Sequence, residues 1–104
     1  MEDRIGKIQE LLKTSPDDNF LRHVLALEFI KLENDAQARV LFEAILQHDE
    51  NFVGSYYHLG RLLERADEPA LAVHWYKKGM EAAKRAGEQR AYNELKSAYE
   101  ELIY

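Results

Sequence analysis

Apolar residues recur along this chain at helical spacing, in blocks separated by short polar breaks. Ile5, Ile8, Leu11 and Leu12 form one stripe, which predicts a first helix over 2–13. It stops at Thr14-Ser15-Pro16-Asp17-Asp18, because Pro16 lacks a backbone N–H and restricts the residue before it. The block 18–33 carries Phe20, Leu21, Val24, Leu25, Leu27, Phe29, Ile30 and Leu32. Apolar over most of its circumference, this helix is expected to have neighbours on more than one side.

After the turn Glu33-Asn34-Asp35, a third helix over 36–48 presents Ala38, Leu41, Phe42, Ile45 and Leu46. His48-Asp49-Glu50-Asn51 breaks it. The fourth helix, 52–66, places Tyr56, Leu59, Gly60 and Leu63 on one face. Acidic residues ahead of Pro69 mark the start of a fifth, with Ala72, Val73, Tyr76, Gly79 and Met80 as its buried stripe. Gly87 ends that helix. The last, over 88–103, is expected to bury Ala91, Leu95, Ala98 and Leu102 while Glu94, Lys96, Glu100 and Glu101 face water. The pattern is all-α: six helices in antiparallel hairpins.

Gly60 is out of place in such a helix, where glycine costs about 1 kcal/mol relative to alanine. A repeat explains it. Sliding the chain by 34 residues sets Leu25-Ala26 on Leu59-Gly60, Phe29 on Leu63, Ala38 on Ala72, Phe42 on Tyr76 and Leu46 on Met80. The same shift sets Ile8, Leu11 and Leu12 on Phe42, Ile45 and Leu46, so the first helix reads as the second half of a repeat. Repeat boundaries fall near 19–52 and 53–86 within a single domain over 1–104, and the helix 88–103 reads as a solvating cap.

A 34-residue helix–turn–helix with Leu-Gly or Leu-Ala, then Ala, then an aromatic four residues on, resembles the tetratricopeptide repeat. The resemblance implies a right-handed α-solenoid in which small residues mark close helix contacts: Ala26 and Gly60, Ala38 and Ala72, and Gly79. Departures are visible too. Arg22 replaces the family's tryptophan in the first repeat, Ile45 is larger than its position usually holds, and Glu33 and Asp67 occupy a turn position usually given to glycine.

What the resemblance implies for function is a concave face, built by the first helix of each repeat, that binds an extended peptide or a partner helix. Family contact positions fall on Phe20, His23, Leu27, Ile30 and Lys31, then on Gly54, Tyr57, Arg61, Glu64 and Arg65. The candidate partner-binding residues are His23, Leu27, Ile30, Lys31, Tyr57, Arg61 and Arg65. Lys31, Arg61 and Arg65 would form a basic strip suited to an acidic group in the partner, with Arg able to bind a carboxylate bidentately. The family's clamp for a C-terminal carboxylate, a Lys and an Asn, is replaced by His23 and Leu27.

Composition narrows the alternatives. Nineteen acidic against fourteen basic residues, a net charge of −5, argue against nucleic-acid binding. No apolar run approaches a membrane span, and the absence of cysteine fits a reducing compartment, so a soluble, cytoplasmic protein is expected. No spacing of His23, His48, His58 and His74 offers a metal site, and no phosphate loop or catalytic constellation stands out. The expectation is a non-enzymatic protein-interaction module without cofactor. The rival reading is self-association, a homodimer through the groove or the terminal helices, because Leu27 and Ile30 would otherwise be exposed apolar surface.

Overall fold

A computed structural model describes residues 3–104 as six helices: α1 Arg4–Thr14, α2 Asn19–Lys31, α3 Asp35–His48, α4 Gly54–Arg65, α5 Pro69–Ala86 and α6 Gln89–Ile103. The expected start of α1 at residue 2 lies outside the described residues. The other boundaries agree with the sequence pattern to within two residues or so.

Local chemistry sets the ends. The carboxylates of Asp3 and Asp18 accept from the N–H groups of Gly6 and Leu21, and the Asn34 side chain accepts from that of Gln37. Pro69 opens α5, where its missing N–H has no intrahelical partner to lose. Three helices close in the same way. Glu33, Asp67 and Gly87 adopt φ of +58°, +60° and +70°, turning the chain so that the following N–H reaches back to Phe29, Leu63 and Ala83.

The helices pair as α2 with α3 and α4 with α5, while α1 covers α2 and α6 covers α4 and α5. The molecule is elongated, 45 × 29 × 20 Å, as a stack of hairpins must be. One apolar core runs along it, through Ile8, Phe29, Phe42, Ile45, Tyr56, Leu59, Leu63, Tyr76 and Leu95.

Gly60 lies where the period places it. A Cβ on Gly60 would stand 2.1 Å from the Tyr76 ring, and one on Gly79 2.6 Å from Tyr56 Cβ. Each glycine lets α4 and α5 touch, and Gly79 also admits Leu95 of α6. Ala26, Ala38 and Ala72 are fully buried. Two expectations need correction. Leu11 is 55% exposed, because among the described residues α1 packs chiefly on α2 and its other side is uncovered, and Phe20 and Leu32 face solvent, because α1 and α3 cover only part of α2.

Candidate concave interface

The first helices of the hairpins, α2 and α4, lie beside α6 and form one face. Contacts across it fix their order. His23 of α2 is hydrogen-bonded through Nδ1 to Ser55 Oγ of α4 at 2.9 Å, and its ring lies 5.6 Å from that of His58. Arg61 of α4 reaches Glu101 of α6 at 3.5 Å.

Arg61 is the centre of this face. Its Nε donates to the Tyr57 hydroxyl at 2.9 Å, and its guanidinium carbon stands 5.1 Å from the Tyr57 ring centroid. Nη1 pairs with Glu64 at 3.2 Å. Glu64 also accepts a hydrogen bond from the Tyr76 hydroxyl, which comes from α5 behind it. Burial, then Glu64, push the Tyr76 phenol well above its ordinary range, so it stays protonated and able to donate. The result is a fixed, planar cation, 36% exposed, held between two carboxylates on an aromatic floor.

The other candidate residues are distributed around this centre. Arg65 forks onto Asp35 of α3 at 2.8 and 3.1 Å. Lys31 pairs with Glu28 at 3.0 Å, and Glu28 in turn binds Arg4 of α1. Every member of the expected basic strip therefore already has a carboxylate. Leu27 and Ile30 are half-buried against the core and give less bare apolar surface than the sequence pattern suggests.

His23 is set among Phe42, Phe52 and His58, in the seam between the two hairpins. Burial, helped by His58, lowers its pKa to about 4, and burial lowers that of His58 as well. Both rings are neutral at pH 7. His58 stacks on Phe42 at 5.9 Å, in parallel planes to within 9°.

Glu64, already a family contact position, lies three residues from Arg61 on the same helical face. Two further residues that shape the face, Glu101 and Ser55, were not anticipated, since only the packing of α6 and α2 against α4 brings them in.

Comparison with known proteins places the chain. It matches the crystal structure of a tetratricopeptide repeat domain protein from Salinibacter ruber at 40% identity and a TM-score of 0.80, over 83% of this chain and 97% of that one. The chain belongs to the tetratricopeptide repeat family. A protein from Bordetella parapertussis shares the fold at 23% identity, with a TM-score of 0.84 over 99% of this chain and 90% of the other. So does the TPR2B domain of yeast Sti1, solved in complex with pHsp70, at 18% identity and a TM-score of 0.87 over 95% and 79%. Neither the protein-family models nor the curated proteins return a match.

Proposed function

We propose that this chain is a non-enzymatic interaction module of the cytoplasm that binds an extended peptide or partner helix across α2, α4 and α6. The observation that carries the reading is Arg61: a rigid, partly exposed guanidinium over Tyr57 in the middle of the face. Glu101, its partner from α6, is 63% exposed and 3.5 Å away, a contact weak enough for an acidic group of a ligand to replace. Replacing one carboxylate by another leaves Arg61 paired throughout, so desolvating it on binding carries little penalty.

Tyr57 supplies flat apolar area beside it, and Leu27 and Ile30 extend that area along α2. Arg65 and Lys31 stand at the rim, where they steer an acidic partner more than they hold it. His23 forms the floor between the hairpins. The yeast neighbour, solved with pHsp70, supports a protein or peptide as the class of partner.

The test is a peptide-display selection on two baits. One is the native chain; the other carries Tyr57→Ala and Arg61→Glu and has an unchanged circular dichroism spectrum. The expected outcome is a set of peptides enriched in Asp and Glu that the variant does not retain. Peptides retained equally by both would move the site off this face.

A further inference from the structure

Trp75 of α5 is the chain's single tryptophan, and the concave face does not use it. The 34-residue period sets it on Leu41, which serves the same place in the first hairpin, so the fold does not call for an indole there. The Trp75 side chain is half-buried. Its ring is tilted against that of Tyr56 at 6.1 Å and meets His74 edge-on at 5.3 Å. Two neighbours thus fix the indole while part of it stays open to solvent.

The open part lines a cavity of about 440 Å³ between α3 and α5. Glu43, Leu46 and Glu50, from α3 and the loop after it, form one side. Tyr56 forms the back wall, and Trp75 and Lys78 the other side. The period sets Glu43 on Gln9, Glu50 on Pro16, Tyr56 on Arg22 and Lys78 on Ala44. The equivalent place beside the first hairpin therefore has neither acid nor aromatic ring, and the repeat is built there without them.

A cation of the chain itself already rests on the indole. Lys78 Nζ stands 5.8 Å from the Trp75 ring centroid, and among the described residues no carboxylate pairs with it. The ring alone holds this exposed ammonium, which is a weak contact. Glu50 is exposed and likewise has no ion pair among the described residues. Glu43 binds Arg39 at 3.2 Å, but Arg39 also holds Glu68 at 2.7 Å, so Glu43 can turn to another cation and leave no charge unpaired. The field at the back wall is negative. Burial, then Glu50, raise the Tyr56 phenol above its ordinary range, and Asp49 and Glu81 add to this against Arg85 alone.

We propose that this cavity takes the guanidinium of an arginine side chain from a basic peptide segment. A planar guanidinium stacks on the indole in place of the Lys78 ammonium and donates to Glu50 and Glu43 at once, which a point charge cannot match. Leu46 and Tyr56 cover its aliphatic stem. The site is separate from the concave face and opposite to it in charge: an acid meets Arg61 there, a base meets Trp75 here. One side chain in an open cavity binds weakly, too weakly for a display selection to retain.

Trp75 reports on its own ligand. Its fluorescence, excited beyond the tyrosine band, is followed at constant ionic strength as a blocked tri-arginine peptide is added from about 10 µM to about 10 mM, the range a single weak contact requires. A saturable change is expected, and blocked tri-lysine should need at least about tenfold more peptide. Glu43→Gln with Glu50→Gln should weaken binding at least about tenfold. Lys78→Ala should tighten it about threefold by vacating the ring. Circular dichroism confirms that each variant is folded. The absence of a saturable change in both the native chain and Lys78→Ala overturns the proposal, and so does an affinity that falls in Lys78→Ala. Tri-lysine bound as tightly as tri-arginine, or a signal indifferent to the loss of both carboxylates, also overturns it, since either would mean general attraction to an acidic protein.

Discussion

Single residues carry the closest contacts of this fold, and Gly60 is the sharpest case. Helix propensity alone favours Gly60→Ala by about 1 kcal/mol. The packing opposes it, since the new methyl would lie 2.1 Å from a Tyr76 ring that is completely buried and cannot swing away. Overpacking of this kind costs about 1–3 kcal/mol. Gly60→Ala should therefore lower the urea midpoint, and Gly60→Leu should lower it further. An unchanged or raised midpoint for the alanine variant would mean that α4 and α5 do not touch there.

His23 makes stability depend on pH. Its pKa falls from 6.5 to about 4 on folding, so between those values the unfolded chain binds a proton that the folded chain does not. Stability should decline as pH drops from 6.5 towards 4, and His58, shifted the same way by its burial, adds to the slope. Glu28, held below the usual carboxylate range chiefly by its hydrogen bond to Lys31, contributes in the same direction at lower pH. Urea melts of the native chain and His23→Gln at pH 7, 5.5 and 4.5 would show it. The variant should lose part of the slope between pH 6.5 and 4.5, and an identical slope would mean the ring is not desolvated.

At the scale of helices, the ends are written in local chemistry. Glu33 and Asp67 adopt the left-handed conformation that costs a residue with a Cβ about 1 kcal/mol. Glu33→Gly should raise the melting temperature modestly, with a smaller gain for Asp67→Gly, since Asp tolerates this region better. The added flexibility of the unfolded chain offsets part of either gain. Gly87→Ala should do the reverse, because nothing lies within 4 Å of its missing Cβ and only the backbone is strained. Equal melting temperatures across the three would show that these caps are not held in that conformation.

The helices and their pairing were legible because each repeat restates the same buried positions, so Gly60, Tyr76 and Ala72 identify one another. The face was legible only in part. Tyr57, Arg61 and Glu64 share one helix and therefore one periodicity, whereas Glu101 meets Arg61 through packing that no local pattern encodes. The expected basic strip illustrates the limit. Lys31, Arg61 and Arg65 are cations in sequence, but their carboxylates come from within α2, from α4 and α6, and from α3 respectively. The setting of His23 is hidden for a similar reason: the rings that enclose it belong to α3, α4 and the loop between them.

The whole molecule is a short stack whose shape follows from hairpins that each touch only their neighbours. Such a stack has two kinds of surface: a face built by α2, α4 and α6, and grooves among the second helices that further helices can fill. We assign partner binding to the first. The claim on which this account rests most heavily is that the concave face is the binding surface. The most direct test is an amide chemical-shift map of the native chain titrated with a peptide from the display selection. Shifts concentrated on α2, α4 and α6 around Tyr57 and Arg61 are the expected result. Shifts confined to α3 and α5, with Arg61 and its neighbours unmoved, would contradict it.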